Sequence, residues 1–495
     1  MSVAVSSPTK RVVIHDDIPL AAVNGLGELV ERYYLTPNNK YIEESSYRRS
    51  EPQGSLEYAW KFEFPVDGRE TSLSISLHIS QPSIELSFYD LDQSDALQLK
   101  LCSRVVDDVQ NIAWSYLQNV KLSSLYFVIG EHRNENQSEA PNHGGIGKNS
   151  IFKRIFSGNT TNVFLTFMLF SFALFFIIGV YTIFVMIAFQ LIFLIFTDKI
   201  ALNMGNVHPT KENPLVTIVS VRSSPEILSD LKKYGKKILP EVRDQITKTV
   251  NVPTTVAEKN QVKSTILQLL PKYGIQTSMN DIEIRTRNVF SIVERVATKF
   301  HQDPPKIVIT NSIVSNASAT GISKNRSTIT ITAGSLEDLN ETELESVIGH
   351  ELGHIKGHDP VILFAVTSFE FIGRFYIWYP LLLHLGLFYF ILAFGAIFSV
   401  GKVLETRADT YSAILLGTPG SMASSLTKIG LRQLYHEKYS PGSKVMAWFQ
   451  FDSHPPIYFR VARMSEFATT EERQRTKHAL LVSIKDCVVG FLSAF

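Results

Sequence analysis

Apolar and polar positions are distributed unevenly along this chain. Between Arg154 and Asp198 lie 43 residues without one charge, and the centre, Val163 to Phe196, is almost wholly apolar. A bilayer core of about 30 Å takes about 20 helical residues, so this run is too long for one straight crossing. Its length predicts two short spans folding back near Gly179. A soluble helix of that length would show a polar face. A secretory signal peptide is excluded, because a long mixed-polarity segment precedes the run. A second apolar block runs from Pro360 to Gly401. Its first half holds Glu370 and Arg374, four apart and able to pair on one helix face. Its second half, Phe375 to Gly401, lacks Asp, Glu, Lys and Arg over 27 residues. Two more helices with a break at Tyr379-Pro380 are predicted.

Basic residues flank both blocks: Lys148, Lys153, Arg154 and Lys199 around the first, Lys356, Lys402 and Arg407 around the second. The turns inside them carry no charge. The positive-inside rule then places all soluble segments on the cytoplasmic side of a multi-pass integral membrane protein, in a bacterial inner membrane or an organelle membrane.

Outside these blocks, Ser72–Ile79 and Ser83–Leu91 alternate at period two and predict a hairpin, and a helix is expected over Ala96–Leu117. The polar, Gly-rich stretch Glu131–Asn149 reads as a linker, so residues 1–150 form an expected N-terminal α+β soluble domain with its linker. Residues 206–301 read as charged helices. Val289–Phe300 has helical spacing, Lys306–Thr310 is a short strand, and Ser327–Thr332 alternates as an edge-type strand. The 48 Lys+Arg against 47 Asp+Glu argue against nucleic-acid binding by overall charge. Two cysteines, Cys102 and Cys487, cannot make a disulfide framework.

The decisive motif is His350-Glu351-Leu352-Gly353-His354. Asn340 can cap its helix with Glu343 at the capping-box position, and Leu344, Val347, Ile348, Leu352 and Ile355 form an apolar face. Two histidines at i and i+4 project from one side and can share one Zn²⁺. Glu351 beside them can take a proton from a zinc-activated water. A third ligand is needed. A third histidine in the metzincin register would fall at Pro360, which excludes that class. His358 follows at the fraying end of the helix. Glu405 and Asp409, four apart just past the last apolar helix, offer a downstream carboxylate ligand and a carboxylate to hold an imidazole.

This combination, with Glu405–Ala413 reading ETRADTYSA, resembles the membrane zinc metallopeptidases of the HtpX and CAAX-prenyl-protease family. Asn316-Ala317-Ser318-Ala319-Thr320-Gly321 resembles that family's NAFATG segment, an edge that pairs with extended substrate, with Ser318 replacing the usual Phe. His454-Pro-Pro-Ile-Tyr-Phe-Arg460 resembles its HPP…R segment, and the resemblance implies that His454 and Arg460 assist the transition state. Four spans fit the HtpX branch better than the prenyl-protease branch.

The expected fold is therefore α+β: a mainly helical zincin-type protease domain with a small edge sheet, about four transmembrane helices in two hairpins, and the N-terminal soluble domain. The expected order is 1–150, a membrane hairpin over 155–198, a first protease part over 205–359, a second hairpin over 360–401, and a second protease part over 402–495. The expected activity is zinc-dependent endopeptidase action on polypeptides, chiefly membrane proteins under quality control, with one Zn²⁺ per chain held by His350, His354 and Glu405. A prenyl-peptide processing enzyme and a catalytically silent scaffold retaining the metal are the alternatives.

Overall fold

The computed structural model describes the chain except residues 1–7, 16–22, 131–168, 223–244, 247–251, 468–477 and the short stretches 53–54, 67–68, 81–82, 93, 123, 172, 204, 206, 324–325 and 440–441. The expected linker and the start of the first apolar run lie outside the described residues. The chain divides into two compact units, Met1–Leu125 with Arg222–Asp230, and Tyr126–Val221 with Leu231–Phe495.

The first unit is a five-stranded antiparallel sheet in the order β1-β5-β4-β3-β2. Its strands are β1 (Lys10–His15), β2 (Arg48–Ser50), β3 (Ser55–Val66), β4 (Arg69–Ser80) and β5 (Ile84–Tyr89). The hairpin read from alternation is β4–β5, with Ile75 opposite Phe88 and Ile79 opposite Ile84. Strand β3, absent from the sequence reading, follows the same rule, since Leu56, Tyr58, Trp60 and Phe62 are all buried on one face. Helices α1 (Val23–Val30) and α2 (Ala96–Leu122) accompany the sheet.

In the second unit β6 (Ser124–Gly130) opens a different sheet, so the expected N-terminal domain ends earlier than its apparent linker. The first apolar run follows as a short arm from residue 169, a break at Gly179 (φ +60), and α3 (Thr182–Leu202). The rings of Phe170 and Phe189 lie 6.2 Å apart. A continuous helix would separate them by about 28 Å, so the chain reverses at Gly179. Strand β7 (Leu215–Arg222) lies between β6 and β8 (Ile282–Asn288), with α4 (Val256–Leu269) in the connection. Residues 206–301 are thus not all helix. LVTIVSVR is a short apolar run whose Val216, Ile218, Val219 and Val221 are all buried, and such a run does not declare its period.

Next come α5 (Val289–Lys299), β9 (Lys306–Thr310), β10 (Ala317–Ser323) and β11 (Arg326–Thr332). The sheet order is β10-β11-β9, with β11 antiparallel to β10 and parallel to β9. The Ser327–Thr332 strand is therefore central rather than an edge. Its threonines mimic a solvent face, but Thr328 is fully buried and its hydroxyl donates to the Asp198 carbonyl at 3.3 Å. After α6 (Ala333–Asp338), helix α7 (Glu341–Gly357) begins with the Asn340/Glu343 capping box in place. Its Leu344, Ile348 and Leu352 join Val293, Ile307 and Ile329 in one core.

The second apolar block holds three helices rather than two: α8 (Asp359–Tyr376), α9 (Tyr379–Leu385) and α10 (Leu387–Leu416). Besides the break before Tyr379, a second falls at Gly386, whose φ of +53 suits glycine. Glu370 and Arg374 pair at 2.6 Å, and the Tyr389 hydroxyl donates to Glu370 at 2.8 Å, tying α8 to α10. Among the described residues that follow are α11 (Pro419–Tyr439), α12 (Ser443–Phe449), α13 (Ile457–Glu466) and α14 (Ala479–Leu492). Among the described residues, Leu169–Leu202, which folds back at Gly179, and Phe388–Leu416 are long and apolar enough to cross a membrane, and the α8–α9 pair, bent by 80°, would make a third crossing if it is one span.

Candidate metal centre

The site lies where α7 crosses α10. Gly353 permits the approach: a Cβ there would sit 3.0 Å from the Ala408 Cα and 3.1 Å from its carbonyl oxygen. The Ser412 hydroxyl donates to the Ser346 carbonyl at 2.8 Å and binds the same two helices. Because α10 runs unbroken from the apolar block into the ETRADTYSA segment, it presents Glu405 and Asp409 opposite the two histidines of α7.

Three ligand atoms converge. His350 Nε2 and His354 Nε2 are 3.1 Å apart, and Glu405 oxygens lie 3.3 Å from the first and 3.5 Å from the second. A tetrahedral Zn²⁺ with bonds of about 2.0–2.2 Å separates its ligand atoms by about 3.3–3.6 Å. One ligand atom from each residue lies within 4.8 Å of the other two, close enough for the three to share such an ion. Glu405 Oε2 is buried yet accepts no hydrogen bond, as suits a carboxylate oxygen directed at a cation. His358 does not converge: it is exposed and occupies the left-handed junction between α7 and α8 (φ +56).

Each imidazole is held from behind by an aspartate that an arginine holds in turn. His350 Nδ1 lies 2.8 Å from Asp409 Oδ1, and Arg460 donates to both oxygens of Asp409, from Nε at 2.9 Å and from Nη2 at 2.8 Å. His354 Nδ1 lies 2.7 Å from Asp359 Oδ2, and Asp359 Oδ1 pairs with Arg407. Arg407 also donates to the Gly357 carbonyl at 3.0 Å. The hydrogen bond from His354 Nδ1 to Asp359 turns the Nε2 lone pair toward the ligand cluster, whereas His350 Nδ1 meets Asp409 in a close contact without an aligned hydrogen bond. Sequence reading missed Asp359 and Arg407. Asp359 carried no role in that reading, and Arg407 was read as a basic flank of the apolar block.

Burial opposes the charged form of His350, but the Asp409 and Glu405 carboxylates outweigh it and push the imidazole up to about 10. His354 is lowered, by burial first. A cation would take over the role of that trapped proton.

Glu351 is buried on α7. Arg460, expected to meet the transition state, is itself buried and engages Asp409 through two of its nitrogens, with Nη2 3.8 Å from Glu405. His454 is placed differently. Its side chain is half exposed, Nε2 lies 3.5 Å from Glu405 Oε1, and Nδ1 lies 2.9 Å from Asp452. The Glu405 charge raises its pKa. Asn316 and Ala317–Gly321 lie at the start of β10, which among the described residues is bonded to β11 alone, and which packs along α7. The Asn316 carbonyl accepts the Ser335 hydroxyl at 2.8 Å, which fixes the start of that strand.

Residues 283–468 match the family described as Peptidase family M48. "Protease HtpX homolog" of Moorella thermoacetica is 31% identical over 175 residues, 31% of this chain and 58% of the relative. "Protease HtpX homolog 2" of Methanosarcina acetivorans is 32% identical over 196 residues, 33% of this chain and 66% of the relative. "Protease HtpX homolog" of Pyrococcus furiosus is 27% identical over 208 residues, 36% and 72% respectively. The chain thus spans less than two thirds of the Moorella relative. No solved structure matches it.

Proposed function

This chain belongs to peptidase family M48 as an HtpX-like member, and from that premise we propose that it is a zinc-dependent endopeptidase embedded in a membrane, acting on membrane proteins in quality control. The observation that supports the reading is the convergence of ligand atoms from His350, His354 and Glu405 within 4.8 Å of one another, with an aspartate behind each imidazole. The soluble segments lie on the cytoplasmic side, as the basic flanks of both apolar blocks require.

Zinc bound there supplies polarisation of the scissile carbonyl and a more acidic attacking water. The residues do the rest. Glu351 takes the proton from that water and returns it to the departing amine. His454, half exposed at the mouth of the site, donates from Nε2 to the carbonyl oxygen as negative charge develops there. Arg460 acts through Asp409 and His350, keeping the ligand imidazole in one tautomer and orientation. The outer strand β10 pairs with substrate backbone in extended form, which aligns the peptide without fixing its sequence.

The test is hydrolysis of an unfolded membrane protein by the purified chain in detergent, with and without a chelator, beside Glu351→Gln. Cleavage that vanishes with the chelator and returns with zinc supports the reading. Cleavage confined to farnesylated CaaX peptides would move the chain to prenyl-peptide processing, and none at all would favour a scaffold.

A further inference from the structure

We infer that the end of α14 and the turn after α12 form a wedge inserted in one lipid leaflet beside α10, with Val488, Leu492, Phe495, Phe449 and Phe451 in the hydrocarbon. The inference rests on the reading that the uncharged first half of α10 lies in the bilayer.

Helix α14 runs antiparallel to α10. The Ser483 hydroxyl lies 3.4 Å from that of Thr410, and Cys487 Sγ lies 3.1 Å from the Thr406 hydroxyl and 3.8 Å from the Lys402 carbonyl. At about 1.5 Å per residue, continuing this register carries Leu492 and Phe495 past Lys402 to the level of the uncharged segment that ends at Gly401. The turn after α12 is held at the same depth. Lys402 Nζ donates to the Gln450 carbonyl at 3.0 Å, and the Phe451 ring stands 6.3 Å from Phe394 and 5.9 Å from Phe398, one to two turns below Lys402. Phe449 joins the two pieces, with its ring 5.7 Å from Phe491 and 6.4 Å from Phe495.

This packing leaves outer faces that are apolar and open: Phe495 is 75% exposed, Leu492 64%, Phe449 57% and Val488 53%. On α10, Leu392 is likewise 62% exposed. A contiguous apolar patch of this kind marks a partner or a membrane. The exposed apolar face of α14 continues through Ile484 to Leu481, beside Ser483 and Thr410, but the end of α14 and the turn after α12 lie level with the uncharged half of α10, a match that a protein partner would not require. The charges agree. Exposed Lys485 stands one turn back from Val488, where it can reach head groups. Asp486 turns inward to Arg463 Nε at 2.7 Å. With 14 residues, α14 is about 21 Å long, shorter than a bilayer core, so this helix reaches into one leaflet.

The wedge bears on the reaction. His454 follows Phe451 by three residues, and Glu405 stands three residues from Lys402 on α10. Anchoring Phe451 in lipid therefore holds the candidate site within about a turn of the head groups, where it meets peptide bonds next to the membrane.

The test uses the full chain in phosphatidylcholine–phosphatidylglycerol vesicles, with single cysteines for spin labels at Phe449, Val488 and Leu492, a lipid-facing reference at Leu392 and a water-facing reference at Ser465. The parent chain, whose Cys102 and Cys487 are buried, sets the labelling background. Power saturation with oxygen and with a water-soluble nickel chelate reads depth. The three test labels should match Leu392 in favouring oxygen. If they favour nickel, as Ser465 should, while Leu392 favours oxygen, the wedge is wrong and the membrane reading of α10 stands. If Leu392 also favours nickel, that reading fails and the wedge with it. Spin–spin broadening at Val488 without oxygen access would replace lipid by a second copy. Photo-activated lipid applied to the unsubstituted chain, followed by peptide mapping, checks the same point without mutation: adducts on residues 443–451 and 479–495 support the wedge, and adducts on α10 alone overturn it.

Discussion

Asp359 stands 2.7 Å behind Nδ1 of His354, although it belongs to the helix after the one that carries the HELGH motif. Asp409, on α10, lies 2.8 Å from Nδ1 of His350, a close contact without an aligned hydrogen bond. Carboxylates from two different helices thus stand behind the two imidazoles, each held by an arginine. Asp359→Asn and Asp409→Asn should each weaken zinc binding by about 10–100-fold. Competition titration against a chelator of known affinity measures this, and parent-like affinity in either variant would remove that carboxylate from the metal's support.

Glu351→Gln should keep its zinc and its fold but lose about 10²–10⁴-fold in peptide hydrolysis. Amide replaces carboxylate at nearly constant shape, so the base goes and the ligands stay. Residual turnover above about a hundredth of the parent rate would contradict a general-base role.

The third ligand can be tested by metal analysis after dialysis. Glu405→Ala leaves two imidazoles and should lose zinc. His358→Ala should keep stoichiometric metal, because His358 is exposed at a helix junction. Glu370→Ala should also keep zinc but lower stability by about 3–5 kcal/mol, since Arg374 would remain buried without its carboxylate. Zinc retained in Glu405→Ala and lost in His358→Ala would reverse the assignment.

Gly353→Ala should destabilise the protein by about 1–3 kcal/mol, because the added methyl meets the Ala408 backbone rather than a flexible side chain. Thermal unfolding measures the cost. A variant as stable as the parent, with zinc affinity intact, would show that the contact between α7 and α10 does not depend on glycine.

Tags at Met1 and near Asn142 should both be reached by protease from the cytoplasmic side, since basic residues flank both apolar blocks and their turns carry no charge. Protection of the Asn142 tag while the Met1 tag is cut would mean that the two lie on opposite faces.

Local rules carried much of the reading. A capping box and two histidines one turn apart are set by backbone geometry within α7, so they are legible without any partner. The β4–β5 hairpin was legible for the same reason, because its alternation matches one buried face. Reading failed where burial came from elsewhere in the chain. Strand β11 looked half solvated until Thr328 met the Asp198 carbonyl, and β7 showed no period because it is buried along most of its length.

The sequence by itself determined that this chain carries a two-histidine metal helix between apolar blocks, because helical periodicity and hydrophobicity act over a few turns. Only the tertiary structure decided how the pieces meet. Gly353 against Ala408 brings Glu405 to the histidines, and the fold sends Arg460 to Asp409. It also places Asp359 and Arg407 behind His354 and leaves His454 at the open side of the cluster. Those roles depend on distances between residues that are dozens of positions apart in the chain, and such distances are set by helix packing, which no local pattern encodes.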